Sequence, residues 1–295
     1  MITPVPKSIY IKQILTALLW GGMYVAARII STDVPAFSVS FLRFLMAGSL
    51  LFLLWYFNPS TGLPKGREWI VLIVLALMGA ALYNIFFFNG MATVSAGRGA
   101  VIITTNPLFT AVFARIIFKE SLPFSKAVGI LVAAFGAVLV ITRGHPLTLF
   151  NSALSFGDFL LFGAALCWSA YSLCSKLVRN LSATTTITFT CIFGCIMLFP
   201  FAVHEGILSH FTEYSWAAWL ALIYIAVCCT VLTFIWFNQG IMYLGAQRAS
   251  LFINLIPVFT VFLGAVILNE NIDPATLAGV GIVCLGVFWA NRQVH

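Results

Sequence analysis

The chain has 295 residues, of which 62% are hydrophobic and only 8% are charged, against about 25% charged in an ordinary soluble domain. With a mean hydropathy of +1.06 it cannot cover itself with polar groups, so the solvent for most of its length is lipid. The net charge of +7 does not signal nucleic acid, because Lys and Arg stand singly at the ends of apolar runs rather than in a basic patch.

Crossing the roughly 30 Å hydrocarbon core takes about 20 apolar residues. The first such run, 11–30, follows Lys7 and Lys12 and is too long for the apolar stretch of a cleaved signal peptide, so it reads as the first span. The second, 36–57, ends at a polar break marked by Pro59, Gly62, Lys65 and Arg67. Spans at 69–91, 98–118 and 124–142 complete the first half, and 143–155 is the longest central connection. The second half follows with 156–177, 184–203, 215–241, 247–268 and 274–291. The expected fold is an all-α membrane protein of ten transmembrane helices. All seven cysteines, Cys167 to Cys284, lie within spans and read as small apolar packing residues.

Charge placement sets the orientation. With the N-terminus inside, the cytoplasmic side carries Lys7, Lys12, Lys65, Arg67, Arg115, Lys119, Lys126, Lys176, Arg179, Arg248 and Arg292, and the outside carries Arg28, Arg98 and Arg143. That bias places both termini in the cytoplasm; the expected location is the inner membrane of a bacterial cell.

The sequence repeats internally. A shift of 150 lays 86–122 on 236–272 without a gap and pairs Phe87 with Phe237, Gly90 with Gly240, Ala96 with Ala246, Arg98 with Arg248 and Ile103 with Ile253. It also pairs Pro107 with Pro257, Phe109 with Phe259, Thr110 with Thr260, Ile117 with Ile267 and Glu120 with Glu270, and continues to Gly129/Gly279 and Gly136/Gly286. A shift of 148 pairs Trp20 with Trp168. The repeats are 1–145 and 146–295. Five spans per repeat is an odd number, so the second copy enters the membrane upside down, the arrangement of carriers that rock around a midplane site.

Polar groups inside a membrane are costly and face the bundle interior. Trp20 and Tyr24 share a helix face with Thr16, and Trp168, Tyr171, Ser172 and Ser175 are their counterparts. Together with Tyr83, Asn84, Thr104 and Asn254 they outline a neutral aromatic and amide cavity. It suits a neutral or zwitterionic solute, with Trp and Tyr against an apolar side chain and Asn84 and Asn254 on amino and carboxylate groups. Pro107 and Pro257 lack an amide donor and are expected to free carbonyls near Ile103 and Ile253 and to kink their helices. Arg98, Arg248, Glu120 and Glu270 fall on opposite sides as repeat mates and read either as gate residues or as anchors of helix ends. Arg43 sits inside the second span, where it needs a helix-end carbonyl or Asp158 as partner, or snorkels to the interface; the structural role is the one taken.

The strings LLWGGMYVAARII, PAFSVSFLRFLMAG, FNGMATVSAGRGAVIITTNPLFTAVFARIIFKESL, GDFLLFGAALCWSAYSLCSKL and INLIPVFTVFLGAVILNENI together resemble the EamA family of the drug/metabolite transporter superfamily over nearly the whole chain. The resemblance implies two inverted five-helix repeats around a central substrate cavity. Members of that family often export amino acids or related metabolites, and others move nucleotide sugars, sugar phosphates or vitamins, so the family alone does not fix the cargo. Two features depart from the pattern of relatives. The seventh span, TTITFTCIFGC, has no counterpart of Arg43, and the first has no acid, unlike the small multidrug pumps that use a Glu there.

Other classes fit less well. An intramembrane enzyme lacks its motifs: there is no HExxH, the four His lie in connections or at the terminus, and Asp158 has no paired second Asp. A channel would need a charge ring or filter sequence. The expectation is a transporter, not an enzyme. It needs no cofactor or metal, its partners are a small-molecule substrate and the lipid bilayer, and it is compatible with a monomer or a dimer. Proton antiport and simple facilitation both remain open.

Overall fold

The computed structural model describes residues 5–30, 33–57, 62–91, 93, 102–103, 105–142, 144–149, 155–268 and 274–291. Among these the secondary structure is helical, with no strand. The helices are α1 (Lys7–Ile30), α2 (Ala36–Tyr56), α3 (67–91), α4 (Asn106–Phe118), α5 (Phe124–Ile141), α6 (Phe156–Val178), α7 (Ala183–His204), α8 (Trp216–Leu244), α9 (246–268) and α10 (Pro274–Asn291).

Six described helices are long and apolar enough to cross a membrane: Ala36–Tyr56, Arg67–Phe87, Phe156–Val178, Ala183–His204, Trp216–Leu244 and Ala246–Leu263. Asn106–Phe118, Phe124–Leu139 and Leu277–Ala290 are apolar but shorter. The outward faces carry large exposed apolar side chains, with Phe124 84%, Phe156 77% and Trp216 77% exposed. In water that surface would aggregate; against lipid it is the expected one.

Sequence signals explain most helix ends. Ser155 and Asp158 form a reciprocal capping box at the start of α6. Ser182 and Ser215 accept from Thr185 N and Ala218 N at the starts of α7 and α8. Gly245 at φ +83 breaks the chain between α8 and α9. The start of α2 is capped from a distance: Glu205, just past α7, accepts from Phe37 N at 3.1 Å and Ser38 N at 2.7 Å, an acid at the positive end of a helix.

Two helices contain π-helical segments, Leu77–Leu82 in α3 and Val227–Leu232 in α8. They lie 150 residues apart (227 − 77), the spacing of the sequence repeat. The prolines behave differently from the sequence expectation. Pro107 opens α4 at its first turn, and Pro257 opens the α-helical part of α9 after a 3₁₀ turn, Phe252–Leu255. Pro107 thus starts a helix, where its missing amide costs nothing, whereas Pro257 lies inside α9 directly after the 3₁₀ turn. The carbonyl of Ile253 is not left free, because Ile256 N donates to it in the 3₁₀ turn.

The packing pairs α2 with α7, α5 with α10, α3 with α6, and α1 with both α8 and α9. The pair α5 and α10 is the tightest, and glycine permits it. A Cβ added at Gly136 would fall 2.6 Å from Val283 N and 2.9 Å from Gly279 O, and one at Gly129 would fall 2.6 Å from Ala290 N. Small residues let helix backbones approach in lipid, where packing rather than water exclusion drives association. Gly136→Leu should therefore lower stability in detergent by about 1–3 kcal/mol. Gly281→Ala, whose Cβ would meet nothing within 4 Å, should leave the melting midpoint unchanged or slightly raised. Thermal unfolding of the two purified variants measures the contrast.

Candidate functional site

A cavity lies at the centre of the bundle. The first half lines it with Trp20, Met23, Arg43, Tyr83, Ile103 and Asn106, and the second half with Ala165, Trp168, Phe234, Ile253 and Ile256. Its volume is about 50 Å³, room for a few waters.

Aromatic rings form one wall. The Trp20 and Trp168 ring centroids are 5.4 Å apart at 81°, Tyr83 lies 5.2 Å from Trp168, and Tyr171 stacks on Trp168 at 5.1 Å. Phe234 and Phe237 complete the cluster at 5.6 and 5.8 Å from Trp168. Tyr171 is fully buried. Its hydroxyl accepts from Asn238 Nδ2 at 2.8 Å, and its ring fills the space over Gly79, where a Cβ would lie 2.5 Å away.

Arg43 is the cation of the site. It is buried, 6% exposed, and does not snorkel. Nε donates to Thr230 Oγ1 at 2.7 Å, Nη2 reaches Cys229 O at 3.4 Å, and Nη1 meets Met23 Sδ at 3.6 Å. Both oxygen partners belong to the π-helical segment of α8. The guanidinium also lies over the Phe44 and Phe234 rings, 5.2 and 5.8 Å from their centroids. Asp158, the other partner considered, instead takes Ser155 N at 2.6 Å in its own helix cap.

The remaining expected residues divide. Trp20, Tyr83 and Trp168 line the cavity. Tyr171 backs the aromatic wall. The Asn84 amide donates to Ala80 O in the π-helical segment of α3, and its Oδ1 accepts from Ser40 at 3.4 Å. Ser172 and Ser175 are spent within α6, donating to Trp168 O and Tyr171 O at 2.9 Å. Asn254 is wholly buried, yet neither side-chain polar atom has a partner among the described residues. The side chain of Tyr24, and all of Thr104, Arg98 and Glu270, lie outside the described residues.

Met23, Asn106 and Phe234 were absent from the expected set. Asn106 had a signal, as a polar residue beside a mid-bundle proline. Its amide donates to Ala165 O at 3.0 Å and Ser169 Oγ at 2.9 Å, whereas its Oδ1 has no partner among the described residues. Trp168 Nε1 is likewise buried without one.

The end of the bundle that carries Lys12, Lys126 and Lys176 is tied across the two halves. Lys12 donates to Gln239 at 2.8 Å, Gln13 to Trp236 O at 2.7 Å, Lys126 bonds Gln247, and Lys176 pairs with Glu120. Arg248, half-buried, follows Gln247 in the first turns of α9. No cluster of three or more His, Cys, Asp or Glu suited to a metal occurs among the described residues.

The pattern of the EamA-like transporter family matches residues 7–142 and 155–292. An uncharacterized transporter of Archaeoglobus fulgidus is 28% identical over 95% of this chain and 96% of its own length. YyaM of Bacillus subtilis, also described as an uncharacterized transporter, is 29% identical over 98% of this chain and 95% of its own. One solved crystal structure of a protein superposes with a TM-score of 0.77 at 17% identity, covering 97% of this chain and 96% of that one, and shares the fold. A helical bundle clad in apolar side chains, a central cavity shared by both halves and a family match along nearly the whole sequence agree: the chain belongs to the EamA-like transporter family and is a multi-pass membrane transporter.

Proposed function

We propose that the protein is a ten-span carrier of two inverted repeats, 1–145 and 146–295, with both termini in the cytoplasm of a bacterial cell. It moves small zwitterionic metabolites of the amino-acid type outward across the inner membrane by alternating access around the central cavity. One observation carries this reading: the two halves supply the cavity with residues in the same register. Trp20 and Trp168 are related by the 148 shift, and Ile103/Ile253 and Asn106/Ile256 by the 150 shift.

The helix pairs support the same symmetry. Exchanging the halves turns α3 against α6 into α8 against α1, and α4 against α6 into α9 against α1, while α2–α7 and α5–α10 map onto themselves. The coincident π-helical segments do so as well. An inverted pair of units has two equivalent ways to pack, which is the bistable element that alternating access needs.

In this conformation the cytoplasmic gate is shut. Lys12, Gln13, Glu120, Lys126 and Lys176 make its cross-ties. Solute then reaches the cavity from that side as the halves move. The described carboxylates nearest the spans are already engaged, Glu120 with Lys176, Asp158 in its helix cap and Glu205 at the start of α2. Facilitation down the solute gradient is the reading proposed, and proton antiport is its alternative.

Reporter fusions active only in the cytoplasm should be active at both ends of the chain; an active periplasmic reporter at either end would reverse the assigned orientation. In vesicles holding the purified protein, uptake of labelled amino acids should saturate and show counterflow, and should persist without a pH gradient. Linear flux without counterflow would replace the carrier with a channel. Trp168→Ala should lower exchange by roughly tenfold, as loss of an aromatic anchor does, with unchanged amounts of protein in the membrane. Full activity would return Trp168 to helix packing.

A further inference from the structure

Arg43 has more donors than partners. A guanidinium carries five N–H groups, and among the described residues three contacts are made, to Thr230, Cys229 and Met23. Two of the three are weak. Cys229 O also accepts from Trp20 Nε1 at 3.1 Å and Thr233 Oγ1 at 2.7 Å, so Arg43 is the third and most distant donor to a carbonyl with two lone pairs. The Met23 thioether is a poor acceptor, and no described carboxylate pairs with Arg43.

The spare capacity is directional. The edge formed by Nε and Nη2 faces α8 and clamps α2 to its π-helical segment. On the other edge Nη1 meets Met23 alone among the described residues, and Met23 itself lines the cavity. Two parallel N–H groups on one edge are the geometry that binds the two oxygens of a carboxylate. A second donor serves the same cavity, since Trp168 Nε1 is buried without a partner. An acceptor serves it too, Asn106 Oδ1, also unpartnered. Buried polar groups are nearly always paired, and all three belong to residues that line one space.

We propose that Arg43 is the substrate-recognition residue of this carrier: its Nη1–Nη2 edge and Trp168 Nε1 bind a carboxylate of the transported solute, and Asn106 Oδ1 accepts from the solute's ammonium or hydroxyl group. This rests on the carrier reading above and adds the chemical class of the cargo. Arg43 is the one cation lining the described cavity, so charge balance selects a monoanionic group; a phosphate ester or nucleotide sugar brings more negative charge than one guanidinium neutralises. The clamp to Thr230 remains, on the other edge of the same group.

The test uses the full chain reconstituted in vesicles, with counterflow of labelled L-leucine and L-phenylalanine and competition by leucinamide, phenethylamine, isocaproate and glucose 6-phosphate. Leucine, phenylalanine and isocaproate should compete, whereas leucinamide and phenethylamine, which lack the carboxylate, should not. Arg43→Gln should raise KM for the carboxylate solutes by about tenfold or more, and Arg43→Lys by less. Trp168→Phe, which keeps the ring and removes the N–H, should raise KM without loss of folded protein. Thermal unfolding of each variant in detergent separates recognition from clamping, because a lost clamp lowers the midpoint and leaves KM where it was.

Equal competition by leucinamide, or an unchanged KM in Arg43→Gln, overturns the assignment. So does exchange restricted to sugars, phosphates or amines in the unaltered protein, an outcome that leaves the carrier reading standing. No exchange of any solute overturns both. The competition arm needs no variant, so misfolding of Arg43→Gln does not protect the proposal.

Discussion

The carbonyl of Cys229 accepts from Trp20, Arg43 and Thr233 and so ties α1 and α2 to the π-helical segment of α8. In lipid a backbone group has no water to fall back on, and a wider helical turn is tolerated only where other groups take up the displaced carbonyls. Thr230 serves the same segment, donating to Ile225 O at 2.9 Å and accepting Arg43 Nε. The irregular turn and the buried guanidinium thus depend on each other. Remove the cation and the turn loses donors; straighten the turn and the cation loses the carbonyl it shares.

The same low dielectric makes the unpaired groups informative. Most buried hydroxyls among the described residues bond back to their own helix, as Thr186, Thr190 and Thr233 do. Gln13 Oε1, Thr16 Oγ1 and both polar atoms of Asn254 do not. Gln13 and Thr16 border a narrow gap with Ala249 and Phe252 on the tied side of the Trp20 ring. Groups left unpaired in one packing of two halves are those for which another packing supplies water or solute, and in the proposed cycle they belong to the path that opens when the cross-ties part.

Much of the fold was legible because bilayer thickness sets span length: most expected spans end within a few residues of a described helix, whereas the fourth, 98–118, meets a helix that begins at Asn106, and six described helices are long and apolar enough to cross a membrane. The repeat was legible because close packing demands small residues at fixed places: Gly129 and Gly136 lie on α5, and their mates Gly279 and Gly286 on α10. The site was legible only in part. Trp20 and Trp168 were found through the 148 shift, and Tyr83 as a polar residue at mid-span. Periodicity does not tell a hydroxyl bonded to its own helix from one that faces a cavity, so Ser172 and Ser175 looked as eligible as Asn106. The π-helical segments left no mark in hydropathy, and without them the partners of Arg43, two backbone-anchored oxygens 186 and 187 residues away, had no sequence signal. Arg43 was therefore assigned a structural role, with a helix-end carbonyl or Asp158 as its partner.

Symmetry of the fold does not extend to the chemistry of the cavity. The first half supplies Arg43, Tyr83 and Asn106. At the corresponding shifts the second half places Cys191, Thr233 and Ile256, and of these only Ile256 lines the space, beside Phe234 and Ile253. The first half thus supplies the guanidinium and the amide of the cavity, and Trp168 is the one residue with a side-chain donor that the second half adds to its lining. In the proposed cycle the carboxylate of the solute is anchored at Arg43. The two halves then exchange their gates by symmetry while the recognition group stays in one place near the middle of the bundle, and a fixed anchor between interchangeable gates is what lets the same bound solute be released on either side.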